Sequence, residues 1–342
     1  VPVPAASATP APPPAATATP PPATPSPPPA TSVLRVYSNN IENLVEHRSD
    51  GRCRAVSAAE HLASMLVDEA GEPGTAEVAA PDLLLLQQLA GAGQAQEYAD
   101  ALSAEFGYPA GTYRALVAWS APEPWGESHE CAQAALAAAK ARQTNGIVYN
   151  TRTLTLTGDP VRWSAGWLKP GTRYAAGEGC TAYQPPGADA DPLRLDKWKR
   201  TSALAARFTV PGSATSVFAA TLHLPQQNRD HPCAGDADPG IAGTGIRLAP
   251  AAERLLERAQ VRVLGVDANR TGIAADALAR YGVTGHGEGP TVGTRTRIDY
   301  LFVRGAVRPS GIGHTVAGTR STHRALYGFI DASDFYSNPV QV

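Results

Sequence analysis

The chain has 342 residues, of which 18% are charged and 43% hydrophobic, with 29 basic against 31 acidic side chains. A net charge of −2 argues against a general nucleic-acid coat, because nonspecific binding to DNA relies on a basic face. No apolar stretch reaches the roughly 20 residues needed to cross a bilayer as a helix.

Residues 1–31 contain only Val, Pro, Ala, Ser and Thr, and the first charge is Arg35. Such a segment has too little apolar bulk to offset its ordering entropy, so residues 1–32 read as an extended stalk or linker. It is either a plain solvated spacer or an O-glycosylated or cell-wall surface tether. No signal peptide is visible, and a start at Val1 fits a mature form whose leader has been removed. Residues 33–342 read as one large domain.

In chain order, 34–37 reads as a strand. A helix is expected over 57–70, with Ser57 as its cap and Glu60 at the third helical position. Pro81-Asp82 introduces the apolar run 83–86, a buried strand that ends in Gln87-Gln88. Helices are expected over 94–106, 131–142 and 250–259. Strands are expected over 113–119, 146–150, 153–157, 202–209, 216–222, 261–266 and 298–303. Strands in mostly antiparallel spacing with helices between them predict an α/β sandwich of two packed sheets with helices outside. No Gly-x-Gly-x-x-Gly follows the first strand, which argues against a dinucleotide fold.

Cys53, Cys131, Cys180 and Cys233 are even in number, far apart and without Cys-x-x-Cys spacing, so two disulfides are favoured over zinc, with three connectivities open. Arg194, Lys197, Lys199 and Arg200 cluster around Trp198 and read first as a solvated loop. The five tryptophans, Trp119, Trp125, Trp163, Trp167 and Trp198, read as packing residues before a stacking platform. His61 and Met65, one helical turn apart, read as core.

Five short polar motifs interrupt the apolar runs: Ser-Asn-Asn-Ile at 38–41, Thr-Leu-His-Leu at 221–224, Gly-Val-Asp-Ala-Asn at 265–269, Arg-Ile-Asp-Tyr at 297–300 and Ser-Thr-His at 321–323. Strand ends in a sandwich open onto one rim, so these groups are expected to meet there. Asn, His and Asp side chains gathered at one place suit metal-assisted attack on phosphate. An imidazole is aimed and tuned by a carboxylate partner, which makes Asp299 and His323 a natural pair.

The ordered set, together with Pro-Asp-(apolar)4-Gln at 81–87, resembles the endonuclease/exonuclease/phosphatase superfamily over residues 33–331. The resemblance implies a DNase I-like four-layer α/β sandwich with two mostly antiparallel sheets. It implies that Asn40 holds phosphate or a metal-bound water, and that His223 binds or protonates the scissile phosphate. Asp267 and Asn269 would orient the attacking water, Asp299 would fix His323, and His323 would be general base or electrostatic clamp. Arg200 would support substrate phosphate. A divalent ion, Mg2+ or else Mn2+ or Ca2+, would sit among Asn40, Gln88 and Asp267.

Two departures bear on that ion. Family members carry Glu where this chain has Gln88, and Asp where it has Thr322, so two charged oxygen ligands become neutral. At ~2 kcal/mol each, that weakens metal binding roughly 1,000-fold. The expected function is a secreted phosphodiesterase, foremost a nuclease on DNA or RNA, acting as a monomer. Only 4 of the 29 basic residues are Lys, the bias of a GC-rich genome such as an actinobacterial one. The alternative is a disarmed member that binds phosphate-bearing ligands or serves as a surface module. In a third reading the motifs are structural, with Arg297 and Asp299 as a buried ion pair.

Overall fold

A computed structural model describes residues 33–47, 50, 52–122, 131–164, 202–224, 248–269, 271, 279, 281–286, 289–314 and 320–331. The stalk, Arg200, Cys180, Cys233, Trp125, Trp167 and Trp198 lie outside the described residues.

The first sheet is built from β1 (Val33–Asn40), β4 (Leu83–Leu89), β5 (Tyr113–Val117), β6 (Thr144–Asn150), β14 (Ala306–His314) and β15 (Leu326–Asp331), in the order β14-β15-β1-β4-β6-β5. The second contains β7 (Thr155–Leu156), β9 (Ser202–Thr209), β10 (Ser216–His223), β11 (Val261–Asp267), β12 (Thr284–His286) and β13 (Asp299–Arg304), in the order β12-β13-β11-β10-β9-β7. Strand β8 (Val161–Ser164) pairs with β9 off that path. A small hairpin joins β2 (Val45–His47) to β3 (Cys53–Ala55). Pairing is antiparallel except at β1–β4 and β10–β11. Those two parallel joins are crossed by α1 (Ala58–Met65) and by α4 (Pro250–Glu257), as parallel pairs require.

The run Leu83–Leu86 shows why a fully apolar strand is needed in such a fold. Leu83 and Leu85 face the second sheet, against Leu204, Ala206, Val217 and Val263. Leu84 and Leu86 face outward, onto Leu62 and Met65 of α1 and Tyr98 and Leu102 of α2 (Ala92–Glu105). All four are fully buried, each worth about 1.5–3 kcal/mol of transfer free energy. On the far side, Phe218, Ala220, Leu264 and Val266 pack on Ala252 and Leu256 of α4, with Trp163 buried among them. The result is a four-layer α/β sandwich, helix–sheet–sheet–helix.

Helix α1 begins as its sequence predicts, with Ser57 Oγ accepting from Glu60 N at 3.1 Å. It ends five residues before the expected boundary, because Asp68 organises a turn instead: its Oδ1 accepts from Ala70 N at 2.8 Å and Glu72 N at 2.9 Å. Helix α3 (Ala134–Lys140) is likewise shorter than expected. Cys53 and Cys131 form a disulfide that ties β3 to the segment before α3, across a satellite cluster of Val45, Leu136 and Ala137.

The two sheets approach most closely near one end. A Cβ on Gly265 would fall 2.7 Å from Leu85 Cβ and would strike Ser38 Oγ, so only glycine lets β11 pass this near β1 and β4. Beside it Gln87 Nε2 reaches across to Thr221 Oγ1 at 3.0 Å, and Thr221 Oγ1 donates to Leu86 O at 3.1 Å. These bonds clamp the sheets together directly beneath the polar rim.

Candidate functional site

Strand register brings the motifs together. In the second sheet His223 lies opposite Asp267, and Asp267 lies opposite Asp299, so one row across β10, β11 and β13 carries all three. In the first sheet Asn40 stands opposite Gln87 at the end of β1. The two rows meet where Asn40 Nδ2 donates to Asp267 Oδ2 at 2.7 Å. Asn40, His223 and Asp267 are each at most 1% exposed.

Asp267 is the hub of the site. Its Oδ1 accepts from Asn269 N at 2.8 Å, and its Oδ2 lies 3.3 Å from His223 Nε2. Asn269 Nδ2 stands 2.8 Å from that same nitrogen and donates to Leu224 O at 2.7 Å. His223 Nε2 therefore has two neighbours with opposite demands. Protonated, it serves the Asp267 carboxylate; deprotonated, it accepts from the Asn269 amide. Burial raises the Asp267 pKa against the opposing charge of His223, and the Asp299 charge adds to the rise. Asp267 and His223 thus lie close enough for their charges to act on each other.

His323 arrives from the turn before β15. Its Nδ1 lies 2.9 and 3.0 Å from the two Asp299 oxygens and 3.9 Å from Asp267 Oδ2. Burial alone would depress its pKa. The Asp299 charge and hydrogen bond, with Asp267 and Glu42 behind them, outweigh this and push it up to about 10. At neutral pH the ring is an imidazolium. Asp299 is engaged by His323, whereas the Arg297 guanidinium lies over the Tyr300 ring at 4.9 Å, so Arg297–Asp299 is not the ion pair of the structural reading.

The residue that sequence reasoning missed is Glu42, two positions after Asn40. Its Oε2 accepts from Thr322 N at 2.7 Å and Ser321 Oγ at 3.1 Å, and its Oε1 lies 3.3 Å from Lys140 Nζ. Burial pushes its pKa upward, but Lys140, His323 and the Thr322 N–H outweigh that and hold it below its ordinary value. The single hydroxyl proton of Ser321 is divided between Glu42 Oε2 and Asn40 O, 2.7 Å away, so the Ser-Thr-His turn is tied both to the end of β1 and to Glu42 beyond it.

A second missed group stands behind His323. Asn39 Nδ2 donates to His323 O at 3.1 Å, which leaves Asn39 Oδ1 to accept from His61 Nε2 at 2.9 Å. His61 Nδ1 must then accept from Tyr98 OH, also 2.9 Å away. Each proton in this chain from α2 through α1 to the histidine turn is assigned by the one before it. Burial lowers the His61 pKa to about 4, which keeps the ring neutral as the chain requires.

Backbone strain gathers at the same rim. Among the described residues, the non-glycine positions with positive φ are Glu42, Asn43, Leu44, Gln88 and Asn269. All follow a strand that feeds the site or, as Gln88, lie where its register shifts near its end, and a strained backbone is tolerated there because surrounding contacts hold it. Gln88 takes φ 57° and donates its main-chain N–H to Asn145 Oδ1 at 3.3 Å.

Asp267, Asp299 and His323 each offer a ligand atom, and these atoms all lie within 4.8 Å of one another. Two carboxylates and an imidazole fit a divalent cation. This set shares Asp267 with the trio Asn40, Gln88 and Asp267 expected from the resemblance, and adds Asp299 and His323.

Neither a family model nor a curated protein matches this sequence. Solved structures do. The human Nocturnin catalytic domain with bound sulfate is similar at 13% identity and a TM-score of 0.50, over 87% of this chain and 94% of that one. An endonuclease/exonuclease/phosphatase from Bacteroides vulgatus follows at 11% identity and a TM-score of 0.49, over 87% and 98%. Another from Beutenbergia cavernae has 17% identity and a TM-score of 0.48, over 87% and 71%. With its two packed sheets, its outer helices and its match to Nocturnin over nearly the whole of both chains, this chain has the DNase I-like fold of the endonuclease/exonuclease/phosphatase superfamily.

Proposed function

We propose that the protein is a phosphodiester hydrolase, and within that class a secreted nuclease acting on DNA or RNA as a monomer. The observation that carries this reading is the contact of Asn40 with Asp267 across the two sheets, with His223, Asn269, Asp299 and His323 gathered around it. The sulfate bound by the Nocturnin domain, a tetrahedral oxyanion, is in keeping with phosphate chemistry on this fold. The Cys53–Cys131 disulfide supports an oxidising compartment.

In this mechanism Asp267 takes the proton of the attacking water, and Asn269 holds the carboxylate in place through its main-chain N–H. Burial keeps Asp267 basic enough to do so against the pull of the neighbouring His223, which returns a proton to the product side. His323, charged and fixed by Asp299, stands as the clamp on the phosphate oxygens instead of a general base. Asn40 orients Asp267 from the opposite sheet. A divalent ion, with Mg2+, Mn2+ and Ca2+ as candidates, would be held by Asp267, Asp299 and His323 only with the imidazole deprotonated, and would then supply, in place of the imidazolium, the positive charge that polarises a phosphoryl oxygen. Arg200 is retained as a proposed phosphate contact on its sequence context alone.

A second reading rests on Gln88 and Thr322, neutral where the resemblance implies carboxylates: a family member that binds phosphate-bearing ligands without cleaving them. The two are separated by hydrolysis of bis(p-nitrophenyl) phosphate and nicking of supercoiled plasmid by the full chain, with each divalent ion and with a chelator. The hydrolase reading expects turnover that His223→Ala lowers by about 100-fold or more. Phosphate-ester binding without turnover under every ion would select the second reading.

A further inference from the structure

At the end of the second sheet remote from the rim, one register row carries three arginines. Arg207 of β9 and Arg262 of β11 each stand opposite Phe218 of β10, and Arg304 of β13 stands opposite Arg262. Phe218 belongs to the outer face under α4, and residues in one row share a face, so the arginines project to that side. Arg262 precedes Asp267 by about 17 Å along β11. The Arg262 and Arg304 guanidiniums come together over Gly282. A Cβ there would fall 2.9 Å from Arg262 Nη1 and 3.9 Å from Arg304 Nη1, and the backbone, with φ 61°, suits glycine. Arg262 is 9% exposed and donates from Nε to Ala259 O at 3.3 Å and from Nη1 to Tyr281 O. Burial and the Arg304 charge lower its pKa, against the pull of Glu257, which is exposed. Those two carbonyls account for Arg262 as a clasp between the end of α4 and the turn before β12. They leave exposed Arg304 and half-buried Arg207 without an ion pair among the described residues, and Arg207 Nε is closed to solvent and unbonded.

We propose that Arg207, Arg262 and Arg304 form a binding site for phosphate groups, separate from the rim that carries His223 and His323. Two like charges held side by side repel, and an anion between them replaces that repulsion with attraction. Guanidinium forks match the oxygens of a tetrahedral oxyanion, so Arg304 closes on an anion that rests against the fixed Arg262. Neighbouring strands stand about 4.8 Å apart, which puts Arg304 beside Arg262 and Arg207 two strands away, about 10 Å at the backbone. Arg207 is then within reach of a second phosphate, with the fully buried Phe218 between the two positions. The row fits pyrophosphate, or two consecutive phosphates of a nucleic-acid strand, better than a lone carboxylate.

The test uses the full chain with a chelator present, inorganic pyrophosphate as one probe and a fluorescent single-stranded oligonucleotide as the other. Pyrophosphate is followed by titration calorimetry and by its effect on Tm, the oligonucleotide by anisotropy. The proteins compared are wild type, Arg304→Gln, His323→Ala at the rim, and Arg114→Gln, a change of equal charge on β5 of the other sheet. One binding event of the wild type should weaken by about tenfold or more in Arg304→Gln and persist in Arg114→Gln and His323→Ala. Such an event with pyrophosphate assigns the site to a free anion, and with the oligonucleotide alone to a nucleic-acid backbone; both support the proposal. Should Arg304→Gln fail to fold, Arg304→Lys, which keeps the charge and loses the fork, should weaken the same event. Binding of neither probe, binding unchanged by loss of Arg304, or an event lost equally in Arg114→Gln or in His323→Ala would overturn the proposal. None of these readings requires hydrolysis at the rim.

Discussion

Replacing His61 with glutamine isolates one titrating group in the chain of hydrogen bonds behind His323. A glutamine amide can donate to Asn39 and accept from Tyr98, so the chain survives while the titration is removed. In the native protein burial lowers the His61 pKa from 6.5 to about 4. Above pH 6.5 the ring is neutral in both states and the stability is whole. Between 6.5 and 4 the unfolded chain binds a proton that the folded chain refuses, so stability falls. The full loss is about 3 kcal/mol. Asp82 works in the opposite sense. Burial raises its pKa from 3.8 to about 6, so the folded state takes a proton first on acidification and gains about as much over the same interval. The two effects oppose each other in the wild type, and because Asp82 is common to both proteins the difference between wild type and variant exposes the His61 effect alone. Urea denaturation of both at about pH 7.5 and about pH 4 measures that difference. The stability gap should move by ~3 kcal/mol in favour of His61→Gln on going to the lower pH. A gap that does not change with pH would refute a neutral His61 and the proton assignment built on it.

Three further outcomes are expected. Asp299→Asn removes the anion that opposes burial, so the His323 pKa should fall from about 10 to below 6.5, as read by NMR titration of its ring nitrogens; a pKa that stays near 10 would show that Asp299 does not set it. Gly265→Ala drives a methyl into Leu85 and Ser38 and should cost about 1–3 kcal/mol in urea unfolding, with no loss meaning the sheets are not in contact there. Replacing Cys53 and Cys131 by serine releases a loop with a sequence separation of 78, worth about 4.5 kcal/mol by chain entropy, visible as a lower Tm under non-reducing conditions.

Much of this arrangement is legible in the chain because strand bodies and strand ends carry different residues. Apolar runs such as Leu83–Leu86 and Val263–Val266 mark strands buried on both faces, and the polar residues that follow them fall on the rim for that reason. Less legible were β14 and β15. The first contains Pro309, Gly311 and Gly313, and its pairing with β15 slips between Val307 and Ile312, so no two-residue alternation survives. Glu42 left a signal, two residues beyond Asn40, but its partners Lys140 and Thr322 lie 98 and 280 residues away and no local rule joins them. His61 reads as core by position, and it is fully buried. Its hydrogen bonds to Asn39 and Tyr98 depend on how α1 and α2 settle against β1, which spacing alone does not specify. Four cysteines allowed three pairings, and the one between Cys53 and Cys131 follows from the hairpin β2–β3 lying against the segment before α3.

The central claim is that water, activated at Asp267, attacks phosphorus. It is tested most directly by 31P NMR of bis(p-nitrophenyl) phosphate turnover in 18O-enriched water, with wild type and Asp267→Asn compared in the presence of Mn2+. The account predicts a monoester product whose 31P signal carries the isotope shift of one solvent oxygen, formed by wild type and about 100-fold or more slower by the variant. Product without solvent oxygen on phosphorus, or equal rates for the two proteins, would contradict it.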